Sequence, residues 1–267
     1  MTTRKPNNRL LRLGSAIRAL VLASFCIWLP AQSLAEARID ADAQRILKSM
    51  SNYLGNLKSF SFEFDVDDEY VLRTGEKLQI SAWGTTTIVR PGKGHVVRRG
   101  GLADVDMIYD GKVFTVYGRK TNSYAQKEIA GTLDVVIDTL RDDTGLHLAA
   151  GDLLYSDVGE GLVSDAESGK YWGTTLINGI ECHYISFRAR NLDYQIWIAT
   201  GDKPLPIKYV ITSKWVTGAP QYAIRINKWD TNPKIDASQF TFTPPAAATK
   251  LDDLLSVAAN EAGLEIE

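Results

Sequence analysis

The sequence predicts an α+β fold, in which a strongly curved antiparallel sheet of about ten strands has a few helices over its concave side. Three observations predict it. Apolar residues alternate with polar ones in runs that recur from residue 59 to residue 242. Asp-Gly and Asn-Gly pairs join some of these runs, as in tight hairpins. Helical spacing is confined to three short segments.

The first 35 residues have the layout of a secretory signal peptide. Residues 1–18 contain five basic side chains and no acid, and "ALVLASFCIWL" (19–29) is an unbroken apolar run. Small residues up to Ala35 suit a signal peptidase, so we expect cleavage after Ala35. A membrane anchor is the alternative, but a spanning helix needs about 20 apolar residues. Phe25 before Cys26 does not suit a lipoprotein signal.

The chain that remains after cleavage is mildly acidic. It has 25 Lys+Arg against 32 Asp+Glu, a net charge of −7, which disfavours a nucleic-acid partner. Its length suits one domain, predicted at 36–250, followed by a C-terminal tail at 251–267. One cysteine remains, Cys182, so no intramolecular disulfide can form. We expect its thiol to behave as a small buried apolar group.

The mature chain begins with a predicted amphipathic helix. In "DADAQRILKSMSNYLGNL" the apolar residues recur at helical spacing, and Asp40 or Asp42 can cap the start. A second helix is predicted in "GTLDVVIDTLRDD", capped near Thr132. Its apolar face consists of Leu133, Val136, Ile137 and Leu140. The tail segment "LDDLLSVAANEAGLEIE" can form a third, short helix.

Strands are predicted for most of the remaining chain. Alternation in "SFSFEFDVDDEY" and "KLQISAWGTTTIVR" predicts two long strands, and Pro91 with Gly92 ends the second. Asp110-Gly111 and Asn178-Gly179 each predict a type I′ hairpin. About five more strands follow the second predicted helix, so nearly all connections are hairpins and the sheet should be antiparallel.

The stretch "DYQIWIATGDKPLPIKYVITSKW" is apolar on both faces of its two predicted strands. Tyr194, Ile196 and Ile198 share one face, whereas Trp197 and Ala199 lie on the other. In the second strand one face is predicted to hold Ile207, Tyr209, Ile211 and Trp215. A sheet with one face in water separates apolar from polar residues more cleanly. We therefore expect the second apolar face to line the inside of a trough.

The sequence shows no catalytic or metal-binding constellation. The histidines His95, His147 and His183 lack the spacing of a zinc site. Cys182 and His183 are adjacent on a predicted strand, so their side chains point to opposite faces. "DVDDE" lacks the glycine and the distant glutamate of a calcium loop. We predict no catalytic residue, no metal and no cofactor. The basic "VVRRG" is either a solvated turn, which is the preferred interpretation, or a contact for an anionic head group or a partner.

Four segments together resemble an uncharacterised family of predicted bacterial periplasmic proteins. They are "IYDGKVFTVYGRKTNSYAQ", "INGIECHYISFR", "DYQIWIATGDKPLPIKYVITSK" and "FTFTPPAAATKLD". That family is similar to the LolA-like and LolB-like superfamily of lipoprotein carriers, and the resemblance spans residues 38–252. It implies a half-barrel of about 11 strands around helices that act as a lid, with a cavity that accepts acyl chains. No catalytic residue comes with it.

These observations predict a monomeric periplasmic protein that binds a lipid or an acylated protein in an apolar trough. The alternative is an envelope sensor that recognises a lipidated or misfolded partner protein; an enzyme is not expected. A sealed core uses the same residue types as a lipid trough, so that interpretation also stays open. The predicted ligand-binding residues are Phe60, Phe62, Phe64, Leu78, Ile80, Tyr194, Ile196, Ile198, Tyr209 and Ile211.

Overall fold

The computed structural model describes residues 38–144 and 150–262, which form one curved, open sheet of 12 strands with four α-helices. The predicted α+β half-barrel is therefore confirmed. The predicted signal peptide (1–35) and His147 lie outside the described residues.

Most helices and strands follow the order that the sequence predicts. Residues 96–100, interpreted as a turn, lie in a strand, and Ala237–Phe240 form a 3₁₀ helix although the predicted alternation extends to residue 242. The helices are α1 (Ala41–Asn56), α2 (Leu133–Thr139), α3 (Val158–Val163) and α4 (Leu254–Ala262). The strands of the first half are β1 (Ser59–Val71), β2 (Lys77–Val89), β3 (Lys93–Gly100), β4 (Val105–Tyr109), β5 (Val113–Gly118) and β6 (Ser123–Glu128). The others are β7 (Ala166–Ile177), β8 (Ile180–Ala189), β9 (Leu192–Ala199), β10 (Pro206–Ser213), β11 (Gln221–Asp230) and β12 (Thr249–Lys250).

Two antiparallel meanders meet at the centre of the sheet. The spatial order is β12-β6-β5-β4-β3-β2-β1-β11-β10-β9-β8-β7. Strand β1 joins the halves because it pairs with β2 on one side and with β11 on the other. The short β12 is parallel to β6 at one edge, and β7 forms the other edge.

The helices pack on one side of the sheet, which we call the inner face. Phe60, Phe62 and Phe64 alternate with more exposed neighbours along β1 and share one cluster with Leu47 and Met50 of α1. The helix begins as predicted after Asp40, but this carboxylate does not cap it. Instead, Oδ2 of Asp40 accepts a hydrogen bond of 2.9 Å from the backbone N–H of Tyr171 in β7. Asp40 therefore ties the start of α1 to the edge of the sheet.

The second apolar face of β9 and β10 does not line a trough, contrary to the prediction. Trp197, Ile207, Val210 and Cys182 form a separate cluster on the outer face. Side chains of the sheet cover it: the Tyr184 and Trp197 rings stack with centroids 4.7 Å apart, and Nζ of Lys208 lies 4.9 Å from the Trp197 centroid.

Two residues predicted to share a face with Tyr209 and Ile211 of β10 lie elsewhere. An irregularity in the pairing between Pro206 and Lys208 puts Ile207 on the outer face, whereas Tyr209 and Ile211 face inward as expected. Trp215 follows the end of β10 and is 76% exposed.

The C-terminal segment covers the outer face of the other half of the sheet. The Phe242 ring packs against Tyr117 and Tyr124, with centroids 5.6 and 5.2 Å away. The chain then continues through β12 into α4, where Leu254 and Val257 join the main core. Within the segment for which the sequence predicts a short C-terminal helix, Leu254–Ala262 form α4.

One of the two predicted hairpin turns is confirmed and the other is of a different type. Asn178 and Gly179 both have positive φ, at 49° and 81°, as a type I′ turn requires. In the other hairpin Gly111 has φ 106°, whereas Asp110 is not among the residues with positive φ. Asp110 instead precedes the turn, and its Oδ1 accepts hydrogen bonds from the N–H groups of Lys112 and Val113.

Candidate ligand-binding site

Most of the predicted ligand-binding residues lie on the inner face and are sealed. The buried ones are Phe60, Phe62, Phe64, Tyr194, Ile196, Ile198 and Tyr209. Ile80 and Ile211 are partly buried, and Leu78 is 38% exposed near the start of β2. Because the helices cover the buried residues, this part of the inner face offers no open wall, and the ligand role of these residues stays a prediction.

An apolar cavity of about 20 Å³ lies between α2 and strands β2 to β5. Its lining consists of Ile88, Gly94, Val96, Met107, Tyr109, Phe114, Leu133, Val136, Ile137 and Leu154. The phenol of Tyr109 carries a hydroxyl, which donates to the carbonyls of Ile129 and Gly131 at 2.8 and 3.0 Å. The cavity therefore presents a hydrocarbon surface with room for about one water-sized group.

Helix α2 covers this cavity and is held mainly at its ends. Thr132 caps it as predicted, accepting a hydrogen bond from the Val135 N–H at 3.5 Å. The Leu133 N–H donates to the Pro91 carbonyl at 2.8 Å, and the Tyr155 hydroxyl donates to Asp138 at 2.7 Å. The middle of the helix contributes apolar contacts through Val136 and Ile137. Asp134 of the helix also accepts hydrogen bonds from Ser156, so the polar contacts of this short cover are with Pro91 and with residues 155–156.

Two polar side chains near the cavity have atoms without partners. Thr86 is fully buried on the inner face, where it pairs with Phe62 and Val96, and its Oγ1 has no hydrogen-bond partner among the described residues. Nε of Arg90 is likewise buried and unpartnered. Leaving such groups unpaired costs about 1–3 kcal/mol each, and more for a charge.

Tyrosine hydroxyls of β9, β10 and β11 hold residues 150–162 against the sheet. The Tyr194 hydroxyl donates to the Leu162 carbonyl, and the Tyr209 hydroxyl donates to Asp152 at 3.4 Å. The Tyr222 hydroxyl accepts from the Ala150 N–H at 3.1 Å. Burial, with the Asp152 charge second, raises the pKa of Tyr209 well above its ordinary value. These phenols are therefore structural hydrogen-bonding groups.

The geometry assembles no reactive pair from the cysteine and the histidines in the described ranges. Cys182 lies in the outer cluster, and burial raises its pKa to about 11, so the thiolate is disfavoured. His183 lies on the opposite face, where Nδ1 is 2.9 Å from the Tyr171 hydroxyl, and desolvation lowers its pKa. Within 38–144 and 150–262, no three His, Cys, Asp or Glu side chains are grouped to hold a metal.

In the basic cluster at residues 96–100, Arg99 is neutralised by carboxylates and Arg98 is bonded to a carbonyl. Arg99 forms ion pairs with Asp104 at 3.1 Å and with Asp106 at 2.5 Å. Arg98 points to the inner face and donates to the Ala103 carbonyl at 3.3 Å. These contacts favour a structural role over a head-group contact for Arg99.

Residues 43–252 match the model of a protein family described as predicted periplasmic protein (DUF2092). The chain belongs to this family. Its description places the protein in the periplasm, as the sequence predicted. Among the residues that the structure describes, no helix has both the length and the apolar character needed to span a bilayer. No curated protein sequence matches this DUF2092 protein.

Solved structures similar to this DUF2092 protein cover most of its length at low sequence identity. An uncharacterised conserved protein from Thermus thermophilus is 11% identical, with 79% of this chain and 99% of that chain covered and a TM-score of 0.47. A LolA superfamily protein from Nitrosomonas europaea is 8% identical (75% and 97% covered, TM-score 0.39). The Pseudomonas aeruginosa MucA/MucB complex includes a chain that is 14% identical (76% and 62% covered, TM-score 0.39).

Sequence reasoning missed most of the cavity lining. It identified the apolar face of α2 but did not connect it to Ile88, Val96 or Met107, which come from three different strands. One signal was available: the position on the inner face of β3 before Val96 is a glycine, Gly94, which has no side chain. A Cβ there would lie 3.3 Å from Ile88 and 3.5 Å from Leu133, so the glycine leaves room under the helix.

Proposed function

We propose that this periplasmic protein binds the acyl chain of a lipid or lipoprotein and carries it in the cell envelope. The observation that supports the proposal is the apolar cavity under α2. Its lining is hydrocarbon, and the single phenol in that lining already donates to backbone carbonyls. A surface of this kind favours an alkyl chain over an ion or a polar metabolite.

Binding requires the cavity to expand. Its present volume of about 20 Å³ accepts about one methyl-sized group, whereas an acyl chain needs far more room. We propose that α2 moves away from the sheet, and that the ligand replaces the contacts of Leu133, Val136 and Ile137. Each methylene transferred from water contributes about 0.8 kcal/mol, so about 12 carbons supply close to 10 kcal/mol before ordering costs.

The proposal assigns no catalytic step to the protein. Its partner is a lipid or an acylated protein, and we propose that it acts as a monomer. An envelope sensor that recognises a lipidated or misfolded partner is the alternative function, and it would use the same cavity. Acyl binding is therefore the property to test first.

A pair of valine variants in β3 tests acyl binding at the cavity. Val96 lines the cavity, and its neighbour Val97 lies on the opposite face of the strand. Val96→Ile adds one methyl group to the cavity, and Val97→Ile adds the same group outside it. Lipid-stripped wild-type protein should bind a fluorescent fatty acid, and Val96→Ile should weaken that binding several-fold without lowering the melting temperature. Val97→Ile should bind like the wild type.

Two results would contradict the proposal. One is a stripped wild-type protein that binds no acyl probe. The other is equal probe affinity in the two variants, which would place the binding site away from the cavity.

A further inference from the structure

A partly buried arginine lies at the rim of the apolar cavity. Arg90 directly follows β2, and its guanidinium carbon is 5.6 Å from the centroid of the Phe60 ring on the inner face. Its Nη2 donates to the Tyr155 carbonyl at 2.9 Å. Phe60 pairs with Ile88, and Tyr155 follows Leu154; both Ile88 and Leu154 line the cavity. The guanidinium thus contacts Phe60 and Tyr155, which are the immediate neighbours of two residues that line the cavity.

This arginine lacks a carboxylate partner in the part of the chain that the structure describes. Its contacts are a carbonyl and an aromatic face, and Nε is buried without an acceptor. Asp134 is the acid whose charge acts on it, but no ion pair forms between them. The Asp134 carboxylate instead accepts hydrogen bonds from the backbone N–H and the hydroxyl of Ser156. Burial lowers the pKa of Arg90, and the charge of Asp134 opposes this shift.

Other inner-face and nearby arginines are better satisfied. Arg99 has two carboxylates. Arg98, like Arg90, donates to one carbonyl and lies in the field of an acid, Asp68, but it has no buried nitrogen without an acceptor among the described residues. A buried charge without a counter-ion is unfavourable, and a guanidinium fits a carboxylate or phosphate with two parallel hydrogen bonds. An anionic group at the rim would supply the acceptor that Nε lacks.

We propose that the ligand is an acyl amphiphile with an anionic head, and that Arg90 binds this head while the chain enters the cavity under α2. This inference rests on the proposed function and adds the class of the ligand's polar end. The head can be a carboxylate or a phosphate, since both offer two oxygens to the guanidinium.

The test is a competition assay against a bound fluorescent fatty alcohol. The competitors share one chain and differ in head: dodecanol, dodecanoate and dodecyl phosphate, with inorganic phosphate as the chainless control. Wild-type protein should favour an anionic head over dodecanol by roughly tenfold or more, the range of a charge-assisted hydrogen bond. The stronger competitor of the two, dodecanoate or dodecyl phosphate, identifies the head group that the protein prefers. Inorganic phosphate alone should not compete.

Substitutions of individual arginines test which side chain produces the preference for an anionic head. Arg90→Met should abolish the preference for anions and leave dodecanol affinity unchanged, and Arg90→Lys should retain part of the preference. Arg225→Met removes the same charge from an exposed site on β11 and should behave like the wild type. If Arg90→Met does not fold, the wild-type preference and the Arg90→Lys variant decide.

Each other outcome overturns the inference. Equal affinity of the wild type for all heads would refute it and leave acyl binding intact. If Arg90→Met lost affinity for dodecanol and for dodecanoate to the same extent, the role of Arg90 would be only to hold Tyr155 in place. Arg98→Met is measured in parallel. Loss of the preference for anions in Arg98→Met, with the preference kept in Arg90→Met, would assign the head group to Arg98 and refute the inference. Failure of every chain to bind would refute the proposed function as well.

Discussion

Replacing Ile196 by alanine tests whether the inner face beneath the helices is sealed core. Ile196 is fully buried in β9, between Ile185 and Tyr209 of the neighbouring strands. The change removes three carbon atoms, a transfer cost of about 2.4 kcal/mol at about 0.8 kcal/mol each, and the space left behind adds to it. We expect the free energy of unfolding to fall by about 3–4 kcal/mol.

Urea unfolding followed by tryptophan fluorescence measures this loss. With an m-value of about 3 kcal/mol/M, the midpoint should fall by about 1 M. Fatty-acid affinity should stay close to that of the wild type, because Ile196 is outside the cavity lining. Leu192 is 39% exposed on the same strand, so Leu192→Ala should change stability by less than about 0.5 kcal/mol. An unchanged midpoint with lost probe binding in Ile196→Ala would refute this reasoning.

Two further substitutions test single polar groups. Thr86→Val should raise the free energy of unfolding by about 1 kcal/mol, because it removes a buried hydroxyl without a partner and keeps the side-chain shape; a lower urea midpoint would show that the hydroxyl is bonded in solution. Asp157→Asn should reduce the acid sensitivity of the fold. Hydrogen bonds from the Glu160 N–H and the Ser51 hydroxyl lower the pKa of Asp157. Its stabilisation is therefore present above the ordinary carboxyl pKa and is lost as the pH falls through the lower folded value. Between about pH 5 and pH 2 the wild-type midpoint should fall further than that of the variant; equal falls would contradict the assignment.

Local sequence patterns predicted the strands of this fold well, since they depend on neighbouring residues. The alternation along β1 is reproduced in the burial of Phe60, Phe62 and Phe64. Asn178-Gly179 predicted its turn because asparagine and glycine both tolerate positive φ. The type I′ turn predicted by the same rule at Asp110-Gly111 was wrong, because the Asp110 carboxylate binds the backbone of the turn that follows it.

Features that depend on pairing across the sheet were harder to predict. The irregular register at the start of β10 moved Ile207 to the outer face, and alternation alone does not reveal such an irregularity. The cavity under α2 draws on four strands and the 150–154 segment, so its lining follows from long-range packing. The unpaired Nε of Arg90 was invisible for the same reason: its partners, Phe60 and Tyr155, are distant in sequence.

Native mass spectrometry of protein isolated from its own periplasm tests the central claim most directly. If the cavity under α2 accepts an acyl chain and Arg90 binds its head, part of the protein should carry the additional mass of an anionic acyl lipid. Extraction with organic solvent should remove this mass and release the lipid for identification. A spectrum that contains only the bare chain before extraction would contradict the account.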